Sequence, residues 1–571
     1  MAVKLSSLLC LLVLINVAFA ARQQQQRPGF QTEIQGECQL QSLQALEPNN
    51  TIRAQAGLTE IWNHNDDQLK CAGVTLVRHT IERKGLLLPS YTNAPQLIYI
   101  IQGKGIQGTL IPGCPETYQS SQSEFEQFQH GGRREQEERG GSGRSRQEEG
   151  REQEERGGSG RSRQEEGRQG QEGSSSSRRT QDRHQKIRHF RAGDILAVPA
   201  GVSQWTYNDG NEQLVALVLL DTTNFANQLD INPKRFYLAG NPQEEHQQSG
   251  RQTRQGQEGR RGSKGSNINN IFAGLDTEWL SQVFNVDRNL IEKLQGQDDN
   301  RGNIITVEGG LQVIHPPHMT EREETGRGRG ESESRHGGRG GGESEWRHGG
   351  RGGGESEWRH GGRGGGESES RHGGRGGGRG GRGDNGFEET LCNMRLRENI
   401  NDPERADIYT TRGGRISTIN SFNLPVLSWL DLSAERGVLY QNGIMAPHYY
   451  QNAHSITYVT RGRARVQVVD DQGQTVFNDV ISEGQLLVEP QNYVILRQAL
   501  EDGYEYISFK TSDFAFRNTL AGRNSVIRGL PAGVIANAYQ ISVEDAQKLK
   551  FNREETTVFQ GQRSSERLAV A

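Results

Sequence analysis

Three stretches hold residues whose types and spacing could do chemistry. The first is Asp384-Asn385-Gly386-Phe387-Glu388-Glu389-Thr390-Leu391-Cys392. An Asn-Gly peptide ending a long polar tract is an exposed bond, open to a protease. The cysteine just beyond it can tether the two halves of a cut chain. The plainer reading is a linker, since Asn-Gly is also a common turn pair. The second stretch is His315-Pro316-Pro317-His318. Its two imidazoles could ligate a metal, but no carboxylate or cysteine cluster with matching spacing joins them. The third is a set of Arg-His-Gly-Gly units, which read as a solvated tract with weak metal affinity at most. No nucleotide loop, nucleophile elbow or cysteine-histidine pair stands out. Asn49-Asn50-Thr51 is a lone glycosylation sequon.

The elements that would position these residues are unevenly spread. The chain has 571 residues, of which 74 are Gly, and only 31% are hydrophobic. That combination signals large regions without a core and favours two sizeable domains over three or four. The net charge of −4 gives no global case for nucleic acid or an anionic membrane as partner. Lys4, the apolar run Leu8–Val17 and Ala18-Phe19-Ala20 read as a signal peptide over residues 1–20. The run is too short for a membrane anchor, and Arg22 and four glutamines follow it. A secretory route permits disulfides. Cys10 leaves with the signal, so Cys38, Cys71, Cys114 and Cys392 remain, and four cysteines allow three connectivities.

Along the chain, Val74–Ile81 and Gln96–Ile101 have strand pattern, with Pro89, Pro95 and Gly103 as punctuation. Residues 119–186 are nearly devoid of apolar side chains and contain a perfect 17-residue duplication, Arg134–Gly150 and Arg151–Gly167. Strand pattern resumes at Ile195–Pro199 and Leu214–Leu220. A second polar tract covers 243–266. Helical spacing follows at Trp279, Leu280, Val283 and Phe284, then at Leu290, Ile291 and Leu294. The tract 321–385 carries four copies of a twelve-residue unit, beginning at Glu331, Glu343, Glu355 and Glu367. Its Arg-Gly-Gly content resembles RNA-binding tails, but Glu and Ser interrupt every repeat and offset the charge.

The two halves match. Asn93–Gly103 aligns with Asn452–Gly462 at an offset of 359, Gly193–Pro199 with Gly484–Pro490 at 291, and Phe284–Leu294 with Tyr539–Leu549 at 255. The falling offset places the first two tracts as insertions in the first copy. Short strands with Gly/Pro turns, followed by helices, predict an all-β class with helical extensions, a sandwich or barrel in each half.

The matched blocks resemble the two signatures of the cupins, small jelly-roll barrels. In that family the first block carries a His-x-His pair and a Glu, the second a His, and together they hold a metal. The corresponding positions are assigned to Pro89, Tyr91, Gln96 and Gln204 in the first half, and to His448, Tyr450, Ser455 and Ile495 in the second. Only His448 keeps a family ligand. The expectation is therefore no metal, no cofactor and no catalytic residue in either barrel.

The whole chain resembles the legumin-type (11S) seed storage globulins. The resemblance rests on the signal, two degenerate cupin blocks, Gln/Arg/Gly/Glu-rich loops, and Asn385-Gly386-Phe387-Glu388-Glu389-Thr390 before Cys392. It implies a nutrient reservoir for nitrogen and carbon, not an enzyme, reaching seed storage vacuoles through the endoplasmic reticulum. It implies cleavage between Asn385 and Gly386 by an asparaginyl endopeptidase, and a trimer that becomes a hexamer after the cut. It also implies an intrachain Cys38–Cys71 bridge and an interchain Cys114–Cys392 bridge. Expected domains are 21–320, with insertions 119–186 and 243–266 disordered; a disordered tract 321–385; and 386–571. One departure is charge: residues 386–571 hold 19 Lys+Arg against 22 Asp+Glu, so the second chain is not basic. The alternatives are a secreted metal-dependent cupin enzyme or a barrel binding a sugar or other small ligand. No nucleic-acid or membrane partner is expected.

Overall fold

Long β-branched runs become the centres of sheets. Val74–Ile81 and Leu214–Asp221 pair antiparallel along their whole length, from Val74 opposite Asp221 to Ile81 opposite Leu214. The computed structural model describes residues 38, 40–115, 118–119, 183–242, 270–296, 298–313, 392 and 394–561. The signal segment, most of the tract 119–186, both later tracts, His315, His318, Asn385 and Gly386 lie outside the described residues.

The first half forms two facing sheets. One has seven strands in the order Asn50–Ala54, Gly57–Ile61, Val74–Ile81, Leu214–Asp221, Gln96–Gln102, Asp194–Val198 and Arg397–Asn399. The other runs Arg235–Tyr237, Gly85–Thr92, Ser203–Tyr207, Lys104–Leu110 and Ile187–Arg191, with Ile304–Thr306 also paired to Gly85–Thr92. In the second half a single ten-stranded sheet curls on itself. Its two longest strands, Ser455–Val469 and Val494–Lys510, each do the work of two strands in the first half. Gly462 (φ +74°) bends the former at the position where Gly103 (φ +86°) separates two strands in the first half. Both halves are jelly-roll barrels, as expected.

The barrels share one apolar core. Leu76, Leu97, Leu217 and Leu219 of the first belong to the same buried cluster as Ile456, Leu486, Ile507 and Phe509 of the second. Arg78 is clamped by Glu60 through two 2.7 Å hydrogen bonds and donates to the Tyr458 hydroxyl across the junction at 2.5 Å.

Each half also lends backbone to the other. Arg397–Asn399 is the edge strand of the first barrel's larger sheet, opposite Asp194–Leu196. Leu396 and Ile400 flank it, both buried in the shared core. In return, Leu43 N–H donates to Val476 O at 2.9 Å, and Leu46 exchanges two backbone bonds with Leu486. Leu40 and Leu43 are buried among Val476 and Phe477 of the second barrel. The structure joins Cys38 to Cys71 (Cα–Cα 5.0 Å) and Cys114 to Cys392 (5.4 Å).

Helix pairs follow the strands in both halves. Asp276 and Asp287 cap Thr277–Phe284 and Arg288–Gln295 by accepting from Trp279 and Leu290 N–H. Ala532–Tyr539 and Val543–Phe551 are their counterparts, the latter capped by Ser542.

Candidate functional site

The place to look for chemistry is the interior of each barrel, where the cupin ligand positions converge. The structure corrects two of the sequence assignments. Gly85–Thr92 and Gly443–Tyr450 have identical burial patterns, and Ser90 lies opposite Gln204 as His448 lies opposite Ile495. The inward positions of the first barrel are therefore Ser90 and Thr92. Pro89 and Tyr91 face the other way, and Tyr91 stacks on Phe236 at 4.9 Å. The slip arises from one extra residue, Gln451, between Tyr450 and the Asn-Ala pair. An offset taken from Asn93-Ala94 is one too many for the strand before it.

In the first barrel the four positions bond to protein rather than converge on a point. Gln107 Nε2 donates to Gln204 Oε1 (2.6 Å), Gln204 Nε2 to Gln96 Oε1 (3.0 Å), and Gln96 Nε2 to Thr92 Oγ1 (2.8 Å). Thr92 then donates to Ala94 O (2.7 Å), and Ser90 accepts from Arg235 at 3.3 Å. These amides spend their lone pairs on one another. The space beside them, lined by His79, Gln96, Gln204 and Arg235 among apolar neighbours, has a volume of about 20 Å³. That is room for about one water, not for a sugar.

The second barrel is built differently. Glu435 is buried and accepts from Tyr450 (2.6 Å), Tyr506 (2.9 Å) and Arg517 (2.7 Å). Arg497, wholly buried, is paired with Glu489, and its guanidinium lies 4.7 Å from the Tyr506 ring centre. Gly437 makes room for that ring, since a Cβ there would stand 2.1 Å from it. Lys510 Nζ donates to Ser455 Oγ (2.8 Å) and Ser508 Oγ (3.0 Å), and stands 3.8 Å from the Tyr450 ring centre.

Electrostatics follow from burial and company. Burial alone would raise Glu435, but the Lys510 and Arg517 cations and the Tyr450 hydroxyl outweigh it and hold the carboxyl well below its usual range. Burial lowers Lys510 to about 8, against the pull of Glu435 and Glu489. Burial, with Arg497 and Arg517 nearby, keeps His448 neutral. Its Nδ1 lies 2.8 Å from Ala446 O, a contact that requires the proton on Nδ1 and leaves the Nε2 lone pair facing the interior. Burial and Glu435 push Tyr450 up, so its phenol stays protonated.

These residues do not fit a metal. One imidazole, a phenol committed to Glu435, a hydroxyl committed to Lys510 and apolar Ile495 are not a ligand set. Among the described residues no three His, Cys, Asp or Glu side chains are grouped to hold an ion, and no helix is long and apolar enough to cross a membrane. Sequence reading missed Glu435, Glu489, Arg497, Lys510 and Arg517. The available signal was a charge ending an apolar run, as in Leu486-Leu487-Val488-Glu489 and Ile507-Ser508-Phe509-Lys510, which does not say which face the charge takes.

Two jelly rolls in one chain, sharing a core and keeping a family ligand only at His448 among the metal positions, define a double-barrel cupin. The cupin family matches at residues 43–244 and 398–547. An 11S globulin seed storage protein of Carya illinoinensis is 48% identical, over 99% of this chain and 97% of its own. Pumpkin seed globulin superposes with a TM-score of 0.65 at 38% identity, covering 92% of this chain and 100% of its own. Recombinant pro-11S globulin of pumpkin gives 0.63 and 38%, with the same coverage. The chain belongs to the 11S globulins, and its role is seed storage.

Proposed function

We propose that the protein is a non-catalytic nutrient reservoir, without bound metal, carried through the secretory pathway to the seed's storage vacuole. The observation that carries this reading is the interior of the two barrels: every inward ligand position except His448 has lost the family's donor, while the scaffold around it is intact. The glutamine-, arginine- and glycine-rich tracts suit nitrogen storage, since added loop length costs only ~0.6 kcal/mol per doubling. Elemental analysis of the purified protein tests it. One equivalent of tightly held transition metal, lost in His448→Gln, would overturn the reading.

Maturation is part of the same proposal. Domains 21–320 and 386–571 flank the tract 321–385, and an asparaginyl endopeptidase cuts between Asn385 and Gly386. Cys114–Cys392 then ties the two chains, and Cys38–Cys71 stays within the first. Subunits close head to tail into a trimer through the helix pairs. In support, Trp279 and Val283 are 74% and 77% exposed, and Val534, Tyr539 and Leu549 of the second helix pair are exposed as well, a burden an isolated subunit would leave to water. Cutting releases one end of the tract and allows two trimers to stack. Asn385→Gln, which blocks that cut, is expected to sediment as a trimer; a hexamer would remove cleavage as the switch. A non-reducing peptide map should link Cys392 to Cys114; a link to Cys38 or Cys71 would refute the pairing.

A further inference from the structure

A cupin barrel without a metal leaves a polar interior with nothing at its centre, and the second barrel resolves this in an unexpected way. Tyr450 and Ser455 occupy two of the four positions from which the family's ligands project. Lys510 reaches both: its Nζ is 2.8 Å from Ser455 Oγ and 3.8 Å from the centre of the Tyr450 ring. Ser508 Oγ, at 3.0 Å, takes a further N–H. Three N–H donors thus meet two hydroxyls and one aromatic face, so the ammonium is fully engaged although it is buried. We propose that the Lys510 ammonium is the resident cation of the second barrel, standing in the place that a metal holds in metal-binding cupins.

The surroundings agree with this role. Ser455 lies between Glu489 and Lys510 in one row across three strands, all facing inward. With Arg497, Arg517 and Lys510 charged against Glu435 and Glu489, the interior already carries a net positive charge. A divalent ion would add to it in a region shielded from water, where repulsion is strong. At neutral pH Lys510 remains protonated, since burial brings it down only to about 8. In the first barrel the same position is Leu220, opposite Gln96. There Gln96 and Gln204 bond to each other and on to Thr92, Ser90 accepts from the Arg235 guanidinium, and no ammonium stands at the matched position.

The proposal rests on reading the barrel as metal-free, and elemental analysis of the wild type tests that reading separately. The test of Lys510 is chemical rescue in the full chain. Lys510→Ala should lower the thermal midpoint by about 5 °C, as two hydroxyls and a ring face lose their cation. Excess methylammonium chloride, which carries the same head group, should restore at least half of the loss. Sodium chloride and tetramethylammonium chloride at equal concentration should restore none. Lys510→Met, which keeps the volume without the charge, should fall with Lys510→Ala. If Lys510→Ala does not fold, the yield of refolding with methylammonium against sodium is the readout. A Lys510→Met midpoint equal to wild type, or rescue that does not distinguish methylammonium from sodium, overturns the proposal.

Discussion

Set side by side at matched positions, the two barrels solve one packing problem with opposite chemistry. Where the first has Val77, Val198, Thr206 and Leu220, the second has Glu435, Glu489, Arg497 and Lys510. Ala216 opposite His79 becomes Tyr506 opposite Gly437, a large-for-small exchange on facing strands. Of the eight inward ligand positions in the two barrels, only His448 keeps a family donor. The first fills its interior with amides and aliphatic side chains beside the Arg235 guanidinium, the second with a network of paired charges. The lesson is that a barrel's backbone does not dictate the polarity of its filling. It dictates only that each buried polar group finds a partner.

The comparison breaks hardest at Arg497. Arg497→Ala leaves Glu489 charged, buried and unpaired, and should cost about 3–5 kcal/mol in urea unfolding of the full chain. Transplanting the first barrel's residues, as Glu489→Val with Arg497→Thr, should recover most of that. If the double variant is as unstable as the single one, the charges are not separable from the packing. The converse transplant, Gln204→Ile, cuts the amide chain and strands Gln96 and Gln107. It should cost about 1–3 kcal/mol.

Acid should then distinguish the barrels. The folded chain holds His448 neutral, below its ordinary 6.5, so the unfolded chain binds a proton that the folded one refuses. Stability therefore falls as pH drops through 6.5, with a slope of up to ~1.4 kcal/mol per pH unit for one proton. Glu435, held below 4.5, extends the loss below 4.5. Between about 8 and 10.5 the unfolded chain again carries the extra proton, on Lys510, so that residue's contribution rises with pH. His448→Gln should flatten the slope just below pH 6.5; an unchanged slope would show that another group titrates there. The smallest effect belongs to the rim. Arg463→Ala removes an exposed pair with Asp502 (2.9 Å) and should change stability by under ~0.5 kcal/mol.

The large features were legible because they are periodic. Strand runs such as Val74–Ile81 and the helix pair from Trp279 to Leu294 carry their pattern within a few residues. The internal repeat was legible because its blocks keep order. What was not legible depends on partners distant in sequence. Nothing local says that Lys510 faces inward, since a single charge in an alternating strand fits either face until the register is known. The one-residue slip at Pro89 and Tyr91 has the same origin: side chains change face at every residue, so one insertion beside a strand reverses the assignment. Arg397–Asn399 is three residues long, and without Asp194–Leu196 beside it there is no reason to read a strand at all.

That short strand and the arm at Leu43–Leu46 set the terms on which the molecule can be divided. Any break between Val313 and Cys392 yields two polypeptides, each holding a piece of the other's barrel. Neither fragment can leave as a finished body: departure strips Leu396 and Ile400 from one core and Leu40 and Leu43 from the other. Separation is then an unfolding event, with the barrier and the cooperativity of unfolding, and not the opening of a contact between two preformed surfaces. Dilution, which drives apart partners that merely touch, has little purchase on halves interleaved in this way.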